Sequence, residues 1–386
     1  MRPSNMAGEC VLNLFTRVSS KTLFGWVLVA MAMTVAAPSG AASSPWGPAH
    51  ALPTQRVGST ATLLLSGQVL VVGGGDGGGL LPEATRYDPT SNTWSSAGSL
   101  ADRRGSHTAT LLPSGKVIVV GGLGINDTNL NSVERYDPTS NTWSFVASLA
   151  TRRIAHTATL LPSGKVLVVG GSNNIPAALA SAELYDPASN TWTPAGSMLY
   201  ARYDHAATLL ASGKVLVAGG YGNNKRISRV ELYDPASNTW TLSAGQLATA
   251  RSGNTATTLP SGQVLVVGGF GPSGYLASAE RYDPASDTWT SAGSLAATRY
   301  FPTATLLPSG QVLVVGGAAP AAPSFTIQPQ IRGHRQVRSR TRGPSTLPAC
   351  CPRVWCWWRG DLAAVVSLPP PSGMTISSTT ISRQHP

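Results

Sequence analysis

The chain predicts an all-β fold, a propeller of four-stranded antiparallel blades, on three observations: a double glycine, a tryptophan and a set of short β-rich runs that all recur on one beat. The double glycines follow four apolar residues and fall at Gly73-Gly74, Gly121-Gly122, Gly170-Gly171, Gly219-Gly220, Gly268-Gly269 and Gly316-Gly317, 48 or 49 residues apart. Trp46, Trp94, Trp143, Trp192, Trp240 and Trp289 keep the same spacing. The unit of the fold is therefore one repeat.

Each repeat resolves into four strands. H-T-A-T-L-L, K-V-L-V-V-G-G, A-E-L-Y-D-P and N-T-W-T-P-A are rich in Thr, Val, Leu, Tyr and Trp and are separated by turn residues. The link between the first two, P-S-G-K at Pro113 to Lys116, combines a Pro-set dihedral with a Gly free to take positive φ, and reads as a hairpin. The D-P-A-S-N-T link at Asp186 to Thr191 places an Asp able to accept a nearby backbone N–H before a Pro, another tight turn. A meander this small cannot cover both of its faces, so the units must stack around an axis. Glycine pairs then let the second strand end sharply where neighbouring blades converge, while Val-Leu-Val-Val fills the space between sheets.

Four apolar residues, Gly-Gly, then Tyr and Trp separated by six residues, as in Tyr136 to Trp143, resemble the kelch repeat of exported, bacterial-type proteins. The resemblance covers about Ser43 to Gly317 and implies a ring with the first strand of each blade innermost and the last outermost. Trp46 belongs to a fourth strand with no preceding blade, and is expected to close the ring and remove an exposed edge.

The ends read differently. Arg2, Arg17 and Lys21, an apolar run from Leu23 to Ala37 and the small residues Ser39 to Ser43 form a signal-peptide pattern, so residues 1–42 are expected to direct export to the cell envelope or medium. The run is too short to span a bilayer. Residues 43–317 form the propeller, and 318–386 are expected to lie outside the fold, disordered. Cys350 to Gly360, C-C-P-R-V-W-C-W-W-R-G, can be encoded by codons that, read two bases later, give L-P-S-G-V-V-L-V-A-G, the repeat's own first hairpin. A frameshift near residues 318–323 accounts for this. As written the ring holds five whole blades and the first hairpin of a sixth, where the unshifted gene would encode seven.

Charge follows the same division. Of the formal +11, residues 1–41 carry +2, 42–317 carry +2 and 318–386 carry +7, all of the tail's cations being Arg. The propeller itself is near neutral, which argues against nucleic acid as a partner. The four cysteines, Cys10, Cys350, Cys351 and Cys356, lie outside the repeats, so no disulfide framework is expected, and the tail cluster lacks the fourth ligand of a metal site.

Among polar residues, Arg56, Arg104, Arg153, Arg202, Arg251 and Arg299 share one repeat position, and Glu recurs in Glu83, Glu134, Glu183, Glu231 and Glu280. Both positions sit at the same end of the blades, where Arg and Glu are expected to pair between neighbouring units as a structural network. His107, His156 and His205 also share a position, but lie a blade width apart and read as hydrogen-bonded strand starts rather than metal ligands. No metal or other cofactor is expected. The variable links after each Gly-Gly, with the departures Tyr200, Tyr203, Asp204, Tyr300 and Phe301 at the same end, are where ligand contacts are expected. Rings that stack and amides that bond suit sugar or peptide surfaces.

The reading that follows is a monomeric, non-catalytic exported scaffold that binds a protein or glycan through Tyr200, Tyr203, Asp204, Asn223, Asn224, Lys225, Arg226 and Tyr300. Kelch-type sugar epimerases and copper oxidases resembling galactose oxidase offer an alternative, a carbohydrate-active enzyme. A tyrosine–cysteine copper cofactor is excluded because the repeats hold no cysteine. A further alternative is an inactive truncated product.

Overall fold

The structure, a computed structural model, describes residues 49–174, 177–318 and 364–366. The segments expected to direct export and to close the ring through Trp46 lie outside the described residues. Five four-stranded antiparallel sheets follow one another. Blade 1 comprises Thr60–Leu63, Val69–Val72, Glu83–Asp88 and Thr93–Ser99; blade 2, Thr108–Leu111, Val117–Val120, Val133–Asp137 and Thr142–Val146; blade 3, Thr157–Leu160, Val166–Val169, Ser181–Asp186 and Thr191–Ser197. Blade 4 comprises Ala206–Leu209, Val215–Ala218, Arg229–Asp234 and Thr239–Gln246, and blade 5, Thr255–Thr258, Val264–Val267, Ser278–Asp283 and Thr288–Ser294.

A sixth sheet begins with Thr303–Leu306 and Val312–Val315. Its third strand is Ala364–Val366, paired with Val312 to Val314. Three residues of the segment expected to be disordered thus continue the blade: an apolar, largely β-branched run meets an open sheet edge.

The apolar run before each Gly-Gly is continuous because both faces of each blade are covered. Leu70 and Val72 of blade 1 pack against Val117 and Val119 of blade 2, and Ile118 and Val120 of blade 2 against Val166 and Val168 of blade 3. The same alternation joins blades 3 and 4, 4 and 5, and 5 and 6. Each such buried Val or Leu contributes on the order of 1.5–3 kcal/mol. Blade 1 has no preceding blade among the described residues, and Leu52 packs on Ala61, Val69 and Val71 instead.

Tyrosine and tryptophan finish the interface. Tyr136 and Trp143 face each other across the outer hairpin, their ring centroids 4.9 Å apart. Asp137 Oδ1 accepts the Thr139 N–H at 3.0 Å, and Asn141, at φ 56°, accepts the Tyr136 hydroxyl at 2.6 Å. Trp143 Nε1 donates to the Ala97 carbonyl of the preceding blade at 2.7 Å. In blade 1 the equivalent Trp94 finds the His50 carbonyl at 3.0 Å, so residues 50–52 stand where an earlier blade's outer strand would.

The glycine pair is needed for two reasons. Gly121 and Gly122 have φ of 57° and 103°, and a Cβ on them would lie 2.6 Å from the Arg153 oxygen and 2.7 Å from the Gly105 oxygen. Positive φ and close backbone approach together leave no room for a side chain.

Arginine and glutamate form the polar frame, with two corrections to the sequence expectation. Arg104, Arg153, Arg202 and Arg251 pair with Glu134, Glu183, Glu231 and Glu280 at 2.7, 2.7, 2.7 and 2.5 Å. Each pair lies inside one blade rather than between two, because the arginine precedes its own blade's first strand and the glutamate sits on that blade's third. Neighbouring blades are joined by backbone instead: Gly122 N–H donates to the Arg153 carbonyl at 2.9 Å, and Gly220 N–H to Arg251 at 2.7 Å. The second correction is Glu83. In blade 1 Val71 faces Thr85, where Val266 faces Glu280 in blade 5, so Glu83 is two residues out of register and exposed. Arg56 reaches the carbonyls of Gly73 and Glu83 at 3.2 and 2.5 Å. In blade 6 the glutamate position is Ala364, and Arg299 bonds the Gly316 carbonyl at 2.6 Å.

The strand-start histidines join blades near the axis. His107, His156 and His205 place Nε2 within 3.0, 3.0 and 2.8 Å of the hydroxyls of Thr60, Thr108 and Thr157, each one blade earlier.

Candidate functional site

One end of the propeller carries both the frame and the variable loops. Here Gly58, Ser106, Ala155, Asp204, Gly253 and Phe301 occupy one repeat position, each with φ between 53° and 71°. Each N–H donates to the carbonyl one blade earlier, from Ser106 on Gly58 to Phe301 on Gly253, at 2.8–3.4 Å. A collar of left-handed residues thus runs from blade 1 to blade 6 where the chain enters the first strands. Such backbone is costly for a residue with a Cβ, most of all for Phe301, and persists because the neighbouring blades hold it.

The residue before each collar position bridges to the residue after the same blade's Gly-Gly: Val57 with Gly75, Gly105 with Leu123, Ile154 with Ser172, Tyr203 with Tyr221, Ser252 with Phe270 and Tyr300 with Ala318. Blades 1 to 3 therefore present small and aliphatic residues at this end, and blades 4 to 6 present rings. Tyr203 and Tyr221 lie 5.5 Å apart between centroids. Phe270, Tyr275 and Tyr300 meet edge to face at 5.0, 5.6 and 5.9 Å, and Phe301 lies 4.2 Å from Tyr300. Gly253 makes this possible, since a Cβ there would come within 2.4 Å of the Tyr300 ring.

Arg226 crosses between the two groups of rings, its guanidinium carbon 4.2 Å from the Phe270 centroid and 5.8 Å from that of Tyr221. It belongs to the hairpin Tyr221–Gly222 with Lys225–Arg226. The tip of that hairpin is Asn223-Asn224, both at positive φ, 48° and 57°, the two-residue turn that asparagine tolerates best after glycine. These two asparagines, with exposed Lys225, serve the turn that aims Arg226.

Burial and the nearby Asp204 carboxylate push the Tyr203 phenol up to about 12. The same two causes raise Tyr300, with Arg226 opposing. Both phenols are therefore neutral hydrogen-bond donors at ordinary pH. Tyr200 stands apart: its N–H donates to Glu231 Oε1 at 3.1 Å, which places it in the frame.

The structure thus brings together Tyr203, Asp204, Arg226 and Tyr300 from the sequence expectation, leaves Asn223, Asn224 and Lys225 at a turn tip, and adds Tyr221, Ser252, Phe270 and Tyr275. A signal for Tyr221 and Phe270 existed in the sequence, because they alone put an aromatic residue directly after a Gly-Gly. The collar, the radial sheets and the loop end agree with a comparison of known folds: residues 41–278 match the Attractin/LZTR1 β-propeller family. The chain belongs to that family. This Attractin/LZTR1-type propeller is kelch-like, and resembles a novel fungal alcohol oxidase with catalytic diversity among the AA5 family, in complex with copper, at 21% identity and a TM-score of 0.57, over 67% of this chain and 58% of that one. It also resembles YjhT, at 17% identity and a TM-score of 0.56, over 69% of this chain and 92% of that one. The propeller therefore spans little more than half the length of the oxidase, and at these identities the likeness is one of fold. No curated protein sequence matches the chain. Among the described residues no helix is long and apolar enough to cross a membrane.

Proposed function

We propose that this propeller is an exported, non-catalytic scaffold that binds a protein or glycan at the loop end of blades 4 to 6. One observation carries the reading: on a frame repeated blade after blade, among the described residues of the loop end, rings, a carboxylate and an arginine gather where Tyr203, Asp204, Arg226, Phe270, Tyr275 and Tyr300 depart from the repeat. Repeated positions build the scaffold, and departures from repetition at one rim are what a ligand selects for.

Glycan and protein arrays probed with the whole chain test this, alongside turnover assays on the same sample. Ligands retained by the wild type and lost by Phe270→Ala are expected, without turnover. Turnover abolished by Asp204→Asn would favour the carbohydrate-active enzyme instead, since Asp204 lies beside two desolvated phenols. Export rests on the signal-peptide pattern of residues 1–42; amino-terminal sequencing of extracytoplasmic protein is expected to begin near Ala42.

A further inference from the structure

Arg226 is held differently from the four arginines that pair with glutamate at this end. Arg104, Arg153, Arg202 and Arg251 have fully buried side chains, each on a glutamate. Arg226 is half-buried, its Nε, like that of Arg153, is shielded without a hydrogen-bond partner, and among the described residues no carboxylate lies within ion-pair distance of it. What holds it is a pair of rings, Phe270 and Tyr221. A guanidinium held over an aromatic face keeps its in-plane N–H groups able to donate, the fork that fits a carboxylate.

The surroundings narrow what that carboxylate belongs to. Tyr203 and Tyr300 lie within the field of Arg226 and of Asp204, and as neutral phenols they donate. Asp204 accepts from a ligand hydroxyl and repels a second acid. Phe301, 41% exposed, extends the ring surface beyond Tyr300. One acid group, several hydroxyls and an apolar face describe a uronic acid better than a run of acidic side chains.

We infer that Arg226 anchors a site for a carboxylate-bearing saccharide, the acid on its guanidinium and the sugar ring against the aromatic wall of blades 5 and 6. This rests on the proposed binding role of the same rim. The test uses the full chain and calorimetric titration with trigalacturonate, its methyl ester and a Glu-rich peptide. Arg226→Gln is expected to weaken trigalacturonate binding about ten- to a hundredfold, the loss of a charge-assisted bond, while Arg229→Gln, an exposed arginine of the same blade, leaves it unchanged. Methyl esterification is expected to do the same to the wild type, which keeps the inference testable if the Arg226 variant folds poorly. Equal binding of acid and ester, full affinity in Arg226→Gln, no binding of trigalacturonate, or peptide bound in its place would each overturn it. A neutral array ligand that still depends on Phe270 would sink this inference alone, whereas no ligand depending on Phe270 would sink the scaffold reading too.

Discussion

Blades 2 and 3 and blades 4 and 5 share one polar frame and one collar, yet they present opposite surfaces at the loop end. At the collar, blades 2 and 3 carry Ser106 and Ala155 where blades 4 and 5 carry Asp204 and Gly253, all in the same left-handed backbone. Beside it, Gly105 and Ile154 meet Leu123 and Ser172, whereas Tyr203 and Ser252 meet Tyr221 and Phe270. The collar backbone is the same in all four, although the link after Gly121-Gly122 holds a 3-10 turn at Ile125–Asp127 where blades 3, 4 and 5 have a two-stranded hairpin, so at the collar the difference lies in side chains. Architecture and recognition are thus separable in this molecule: the frame tolerates exchange at the rim because its own bonds run through arginine, glutamate and glycine underneath.

That separation can be broken from the frame side first. Glu231→Ala strands the Arg202 guanidinium, which burial already disfavours and which Glu231 sustains, and is expected to lower stability by about 3–5 kcal/mol in denaturant unfolding. Gly122→Ala puts a methyl group at φ 103° against the Gly105 oxygen and is expected to cost about 1–3 kcal/mol or more. His156→Leu removes the bond to Thr108, with an expected loss of about 1 kcal/mol. None of these should favour one ligand over another. The rim sharpens the contrast from the other side, since Tyr203→Phe should leave the unfolding midpoint at neutral pH nearly unchanged. Its effect appears with alkali: Tyr203 ionises near 12 when folded against an ordinary 10.0, so the folded state holds its proton longer and stability falls as pH rises through that interval. Ultraviolet titration of the phenolates is expected to lose a late component in Tyr203→Phe, and an unchanged curve would refute the burial of that hydroxyl.

Much of this was readable from repetition. The four strands, the hairpin at P-S-G-K, the D-P-x-S-N turn and the glycine pairs are local and periodic, and each reports its own backbone requirement. Register across a repeat is less legible, and Glu83 resembles Glu280 in sequence for that reason: both precede a tyrosine, but by four residues and by two, and side chains two apart in a strand share a face while only one lies opposite the arginine. The direction of the Arg–Glu pairs was also hidden, because sequence spacing alone does not say whether a residue at a link serves the blade behind or the blade ahead. At the rim, Tyr221 and Phe270 were visible as departures, yet nothing local shows that residues about fifty apart converge on one arginine.

Repetition in the amino-acid order was enough to determine an all-β propeller with five complete blades and the start of a sixth, since a small meander has no other way to cover both faces. Tertiary structure alone decided which glutamate meets which arginine, and that Arg226 lies against Phe270 and Tyr221. The reason is physical: backbone preference acts within a few residues, whereas charge pairing and ring contact depend on the rotation from one blade to the next, which is set only when the sheets pack.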